Sequence, residues 1–188
     1  MHKKQHSCSP YAVRANNGTM VRLESILDSW KGIREDTANA VEDFSAHDLD
    51  YKPSADLMSF GEIALHILQA SHALTRMLLD GVDNMATPQF REMINKYVAQ
   101  LPKTEGAGAL ARELRNQMDA RAMELTAQPG SFYAGEIIRF DGQKVTRLEM
   151  LQSVKEHELT HRSQLFMYLR LKGIVPPTTR RRQAKAKA

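Results

Sequence analysis

The sequence of 188 residues has a single cysteine, no long apolar run and no acidic residue near either end. Cys8 lies in a polar segment, so no internal disulfide can form and nothing indicates an oxidising compartment. No apolar run approaches the roughly 18 residues that cross a bilayer, and residues 1–20 lack the apolar block of a signal peptide. We therefore expect a soluble, cytoplasmic protein that has no membrane partner.

The missing acidic residues divide the chain by charge. Residues 1–19 contain three basic residues and residues 177–188 contain five, and neither segment has a carboxylate side chain. Because the net charge is +4, the remaining residues 20–176 carry a net charge of −4. We predict a folded domain over 20–176 between a flexible N-terminal segment and a flexible basic tail. The tail could contact nucleic acid weakly through counterion release, although a solvated tail is the simpler interpretation.

Apolar residues recur every three or four positions in four long stretches, which is the pattern of amphipathic helices. The second stretch opens with a capping box on Ser59 and Glu62, and the fourth opens with one on Thr146 and Glu149. A glycine follows the end of each of these two stretches. The predicted helices cover residues 20–46, 59–80, 104–127 and 146–172.

Two weaker features lie between these helices. Thr87-Pro88 has the pattern of a helix start and opens a weaker helical stretch through Gln100. Residues 136–145 change period around Asp141-Gly142, which predicts a small β-hairpin before the last helix. The sequence therefore predicts an all-α four-helix bundle with a long, partly structured crossover and a small hairpin.

Residues 157–161, His-Glu-Leu-Thr-His, match the H-E-x-x-H pattern of zinc proteases. His157 and His161 lie about 40° apart around a helix axis, so both imidazoles can bind one ion. In such proteases the third ligand follows the motif, whereas residues 162–188 contain no histidine, aspartate or glutamate. The protease interpretation is therefore excluded, and a third ligand must come from upstream.

Five histidines precede the motif, and His66 is the best placed of them. It lies in the middle of a strong helix on an apolar stripe, while His72 lies about 120° further round and faces elsewhere. We predict a metal site on His66, His157 and His161, built from two helices of the bundle. The alternative is that these histidines are hydrogen-bonded core residues. His47 and His72 are expected in loops or at the surface.

The segments SFGEIALHI (59–67) and HELTHRSQLFMYLRLKGIVPP (157–177) resemble the DinB/YfiT-like metalloprotein superfamily, and the similarity covers about residues 20–177. The resemblance implies an up-up-down-down four-helix bundle, a divalent metal on the three histidines, and a homodimer. Zinc is the first expectation for the metal, and nickel or iron are alternatives because imidazole binds each of them. One departure is Ser163, where glycine is common.

Members of this superfamily with known activity include S-transferases and isomerases that use low-molecular-weight thiols. The resemblance therefore favours an enzyme in which the metal activates a thiol for attack on a small electrophilic substrate. Hydrolysis by activated water is the second hypothesis. A metal-stabilised bundle without catalysis is the third.

Several residues near the motif have two interpretations each. Glu158 is the candidate catalytic base, or else a solvated or supporting carboxylate. Gln164 can hydrogen-bond a ligand imidazole, and Glu62 could do so as well, although its capping role is simpler. Trp30 and Tyr168 could line a pocket, but their place on apolar stripes favours the core.

Overall fold

The computed structural model describes residues 12–14, 20–44 and 49–187, and the predicted all-α class is confirmed by the helices that dominate them. His2, His6, Cys8 and His47 lie outside these residues. Within the described residues, no helix combines the length and the apolar character needed to cross a membrane. The elements in chain order are β1 (Ala12–Arg14), β2 (Met20–Arg22), α1 (Leu23–Asp43), α2 (Phe60–Leu79), α3 (Phe90–Val98), α4 (Gly106–Thr126), α5 (Gly130–Ala134), β3 (Glu136–Ile138), β4 (Lys144–Thr146), α6 (Arg147–Leu171) and α7 (Pro177–Lys185).

Both predicted capping boxes are confirmed. At the start of α2, the Ser59 hydroxyl accepts a hydrogen bond from the Glu62 amide (3.1 Å), and the Glu62 carboxylate accepts one from the Ser59 amide (2.6 Å). Thr146 and Glu149 form the equivalent pair of bonds at the start of α6. Gly81 follows α2 with φ +80°, a conformation that favours glycine. These caps set the register at which the two histidine-bearing helices begin.

Helices α1 and α2 occupy diagonal corners of the bundle, because among the four long helices each packs mainly on α4 and α6 and little on the other. Their directions are opposite. Phe44, just beyond the end of α1, stacks on Phe60 at the start of α2 with ring centroids 3.8 Å apart. Further along α2, but earlier along α1, Arg34 donates to the Ser71 hydroxyl (2.7 Å). The first two long helices are therefore antiparallel.

Helices α2 and α4 run in the same direction. His72 meets Gln117 at 3.0 Å, and one turn further along α2, Arg76 meets Glu124 at 3.3 Å, also further along α4. The connection over residues 80–105 must therefore return along the length of the bundle. This is the long crossover of the prediction, and α3 forms part of it and packs against α2.

Helix α6 runs parallel to α1, since Glu158 pairs with Arg34 and, further along both helices, Arg162 pairs with Asp36. The bundle is therefore ordered up-down-down-up, and the predicted up-up-down-down connectivity is wrong. Helical periodicity reveals which face of a helix is apolar, but the same pattern fits either direction along the bundle axis.

The predicted hairpin is confirmed before α6, where β3 pairs with β4 in antiparallel register and Gly142 adopts φ +82° in the turn. This hairpin is also joined to the crossover. The Met85 amide donates to the Ile138 carbonyl (2.8 Å), and the Ile138 amide donates to the Asp83 carbonyl (2.7 Å). The hairpin and the crossover therefore form one continuous wall beside α2.

Both ends of the domain differ from the prediction. β1 pairs with β2 where a flexible segment and the start of the first helix were predicted, so α1 begins only at Leu23. Helix α7 replaces much of the predicted flexible tail. Its Arg180 donates to Asp43 (2.6 Å), and its Arg181 pairs with the buried Asp36. These ion pairs attach the basic segment to α1, an attachment that composition alone does not reveal.

Two shorter helices, α3 and α5, also differ from the prediction. Helix α3 begins at Phe90 with Gln89 at its N-cap, so Thr87-Pro88 is not the helix start. The short helix α5 was not predicted, although its Tyr133 is fully buried.

The core consists of two apolar clusters, one towards each end of the bundle. Trp30 belongs to the first cluster, and Phe44 and Phe60 belong to the second. Between them lies a layer of buried polar side chains that includes Arg34, Ser71 and Glu158. This layer is at the level of the histidines described below.

We expect Ser59→Ala to lower the free energy of unfolding by about 1 kcal/mol, because the first turn of α2 loses its side-chain acceptor. Urea unfolding followed by circular dichroism measures this change. Ser29→Ala, at an exposed position inside α1, is the matched control and should change stability by no more than about 0.5 kcal/mol. Equal midpoints for the two variants would contradict the capping role.

Candidate metal centre

Three histidine side chains converge between α2 and α6. His66 Nε2 lies 3.1 Å from His157 Nε2, which in turn lies 3.1 Å from His161 Nε2. All three nitrogen atoms lie within 4.8 Å of one another, and the residues are half-buried. The structure therefore brings together the three residues that the sequence predicted as ligands.

Gln164 orients one of these rings. Its side-chain oxygen lies 2.6 Å from His161 Nδ1. Because a carbonyl oxygen can only accept, Nδ1 carries the proton, and the lone pair of Nε2 faces the other two histidines. This contact, expected from the spacing of the two residues on α6, is confirmed, and it is a common way to support a metal ligand.

The cluster does not satisfy its own hydrogen-bonding capacity. A proton on His157 Nε2 could be donated to only one of its two neighbours, and the remaining lone pair would face another nitrogen atom. A cation between the three rings gives every Nε2 lone pair a partner. The donor set thus fits a single metal ion held by neutral imidazoles.

The surroundings favour the neutral form that binds metal. Burial, and to a smaller extent the neighbouring His161 and His66, together lower the pKa of His157 to about 4, against an opposing contribution from Glu158. Burial also lowers the pKa of His66, with smaller contributions from His161 and Arg91. Near pH 7 these imidazoles therefore need not lose a proton before they bind a cation.

Glu158 lies between the two histidines in sequence but points about 100° away from His157, towards α1. It is 1% exposed, so the interpretation as a solvated carboxylate is wrong. Its oxygens accept hydrogen bonds from Trp30 Nε1 (2.6 Å) and from Arg34 Nε and a terminal guanidinium nitrogen (2.6 and 2.7 Å). These contacts support a role in holding α6 against α1, and the catalytic role of Glu158 stays a prediction.

The remaining predicted residues lie around the cluster in different roles. Glu62 serves the capping box, and Trp30 is a core residue. Tyr168 is also mostly buried, and its hydroxyl donates to the Met58 carbonyl (3.0 Å). The prediction of a surface or loop position for His72 is wrong: it is 5% exposed and pairs with Gln117 on α4, because the α2–α4 contact covers it.

Two clefts open beside the cluster. The first, here called the α3 cleft, has a volume of about 270 Å³ and lies between α2, α3 and the hairpin. The second, with a volume of about 390 Å³, lies beside Gln164 and Tyr168. The lining of the α3 cleft includes His66, His157, Phe90, Arg91, Asn95 and Phe140.

Sequence reasoning missed the six residues that α3 and the hairpin contribute to this cleft. Phe140 directly precedes the predicted Asp-Gly turn, and its ring stacks on Phe90 with centroids 5.5 Å apart. An aromatic residue at a turn was a signal that could have identified this position. Nothing in the sequence indicated which part of the crossover would face the histidines.

We expect Glu158→Ala to lower the free energy of unfolding by about 3–5 kcal/mol, because it leaves the Arg34 guanidinium buried without its carboxylate. Glu156→Ala, two residues away on α6 at an exposed position without an ion pair to Arg34, is the control and should cost less than about 1 kcal/mol. Thermal and urea unfolding compare the two. Equal stabilities would show that the Arg34–Glu158 pair does not hold the bundle together.

Comparisons with known proteins agree with this architecture. The model of the DinB family matches residues 15–187. The uncharacterized protein YjoA of Bacillus subtilis (strain 168) is 27% identical over 155 residues, which cover 82% of this chain and 93% of YjoA. The crystal structure of that DinB-like protein matches with a TM-score of 0.61 at 26% identity, covering 79% of this chain and 92% of the other.

Two further solved structures share the fold at lower identity. A DinB-like protein from Bacillus cereus ATCC 10987 has a TM-score of 0.63 at 18% identity, with 82% of this chain and 95% of that chain covered. A protein of Exiguobacterium sibiricum 255-15, described as a putative member of the DinB family, has a TM-score of 0.56 at 20% identity. The match covers 80% of this chain and 91% of that chain. With the family model matching nearly the whole sequence, this chain belongs to the DinB family.

Proposed function

We propose that this protein is a metal-dependent enzyme that activates a thiol for attack on a small electrophilic substrate, in the manner of an S-transferase. The observation that carries the proposal is the convergence of three histidine Nε2 atoms beside an open cleft. Histidine rings in a purely structural role would be expected to have hydrogen-bond partners for their ring nitrogens. Here the Nε2 atoms of His66 and His161 each lie 3.1 Å from His157 Nε2, so these contacts join nitrogen to nitrogen.

His66, His157 and His161 would hold a divalent ion, and three protein ligands leave a further coordination position available. Zinc is the expected metal, and nickel and iron suit the same donors. When bound, the ion would supply Lewis acidity that lowers the pKa of a coordinating thiol.

The chain's own residues would supply position and environment. His66 and His157 line the α3 cleft, so a thiol that enters this cleft arrives beside the Nε2 atoms. Leu74, Ile94 and Val98 line the same cleft and limit the water around the reacting sulfur. A drier environment strengthens the attraction between a thiolate and nearby positive charge. Gln164 keeps the His161 ring in its ligating orientation.

The reaction would join the sulfur of the thiol to an electrophilic carbon, with release of the thiol proton and of a leaving group. The resemblance to the DinB/YfiT-like superfamily also indicates the co-substrate and the assembly. A low-molecular-weight thiol would be the co-substrate, and the protein would form a homodimer. Sedimentation of the metal-loaded protein tests the dimer independently of activity.

We expect the protein to bind one zinc ion per chain, and His66→Ala, His157→Ala and His161→Ala each to weaken the affinity by more than about 100-fold. Gln164→Ala should weaken it by about 10- to 100-fold, the usual range for a residue that supports a ligand. Equilibrium dialysis with metal analysis measures these affinities. His72→Gln is the control, because His72 lies outside the cluster. Unchanged affinity in all three histidine variants would refute the site.

We expect the zinc-loaded protein to accelerate the reaction of 2-mercaptoethanol with 1-chloro-2,4-dinitrobenzene, which releases chloride and a proton as the carbon–sulfur bond forms. His157→Ala should lose this acceleration. Absorbance of the thioether product follows the rate, with the metal-free protein as control. Metal binding without thiol-dependent turnover across a panel of electrophiles would favour the non-catalytic bundle. Turnover of ester substrates without any thiol would favour the hydrolase.

A further inference from the structure

The α3 cleft has an electrostatic character of its own. Among the residues that line it, Arg91 is the one with a permanent charge, and no carboxylate side chain belongs to the lining. The histidine cluster forms another part of the same wall, through His66 and His157. With a divalent ion on that cluster, the cleft would present positive charge at two separate places to whatever enters it.

Arg91 has no ion-pair partner among the described residues. This distinguishes it from the arginines that hold the bundle together, such as Arg34, Arg115 and Arg181, which all pair with carboxylates. Its positive charge acts electrostatically on the histidine cluster, since Arg91 is one of the groups that lower the pKa of His66. The guanidinium is therefore available to a ligand and close enough to act together with the cluster.

The position of Arg91 is unfavourable for α3 considered alone. It lies in the first turn of this nine-residue helix, where the helix dipole disfavours a cation. Glu92 in the same turn carries the charge that the dipole favours, and it forms no ion pair with Arg91 among the described residues. An anion bound at Arg91 would remove the unfavourable interaction, because it would meet both the guanidinium and the positive end of the helix.

The rest of the lining is suited to an apolar body. Phe90 and Phe140 stack on each other at one side, and Ile94 and Leu74 are among the aliphatic residues of the cleft. The volume of about 270 Å³ corresponds to the liquid volume of roughly nine water molecules. This space suits a small molecule and excludes a folded polymer segment. Asn95 adds an amide that can donate to an anion or accept from a polar substituent.

We propose that Arg91 anchors the carboxylate of a small thiol, whose apolar body packs on Phe90 and Phe140 while its sulfur lies at the histidine cluster. This inference rests on the proposed function and specifies the class of thiol that the enzyme uses. The planar fork of arginine matches a carboxylate through two parallel hydrogen bonds, so lysine should replace it only in part.

The test uses cobalt-loaded protein and two probe thiols that differ in one group. The first is 4-(mercaptomethyl)benzoate, and the second is its neutral amide, 4-(mercaptomethyl)benzamide. The absorption band that appears when a thiolate binds cobalt reports that the sulfur has reached the cluster, and isothermal titration calorimetry gives the affinity. A charge-assisted hydrogen bond predicts about a 10- to 100-fold preference for the carboxylate probe.

We expect Arg91→Gln to abolish this preference and leave binding of the amide probe unchanged, while Arg91→Lys retains part of it. Lys96→Gln is the matched control. It removes a cation from an exposed position on the same helix, outside the cleft lining, and should keep the full preference.

The possible results separate the two proposals. Equal affinities for both probes in the unmodified protein, or the same preference in Arg91→Gln, would overturn the anchoring role while the thiol chemistry stands. Bound cobalt that gives no thiolate band with either probe would overturn the proposed function, and the class of thiol with it.

Discussion

The buried guanidinium of Arg34 is the interaction on which the bundle depends. From α1 it donates to Glu158 on α6, to the Ser71 hydroxyl on α2 and to the Leu114 carbonyl on α4 (2.6–2.9 Å). One side chain therefore touches all three of the other long helices. An uncompensated charge at this depth would be strongly unfavourable, so alternative rotations or shifts of these helices are penalised. The apolar clusters above and below supply most of the burial, and this polar layer selects one arrangement of them.

The same layer determines how the histidine cluster is positioned. Glu158 and His157 are adjacent in sequence, and the helical geometry of α6 turns one towards Arg34 and the other towards His66. Rotating α6 to improve one contact would damage the other. The capping boxes fix where α2 and α6 begin, and the Arg34–Glu158 pair fixes how α6 is turned. Preorganisation of the histidines thus comes from ordinary structural contacts and requires no metal.

Features that depend on residues close together in the sequence could be predicted, and features that depend on distant residues could not. The helix starts at Ser59 and Thr146 depend on residues three apart, and these starts were predicted. The convergence of His66, His157 and His161 was also predicted, from side-chain chemistry and helical spacing, and their role as metal ligands stays a prediction. The burial of Glu158 depends on Arg34, which lies 124 residues earlier. The seating of α7 on Asp36 and the direction of α2 relative to α4 likewise depend on contacts between distant segments. No local pattern encodes such contacts.

The hairpin and the crossover, joined to each other, form one wall of the α3 cleft, whereas the bundle helices position the histidines of the other wall. Different elements therefore hold the histidines and shape the rest of the cleft. The three clustered histidines belong to bundle helices whose packing tolerates little change, whereas the opposite wall is made of connecting segments joined by backbone hydrogen bonds at Met85 and Ile138. Backbone pairing of this kind is indifferent to side-chain identity. Insertions and substitutions in these connections can therefore change the shape of the cleft without disturbing the histidine cluster, which makes this scaffold an easily diversified one.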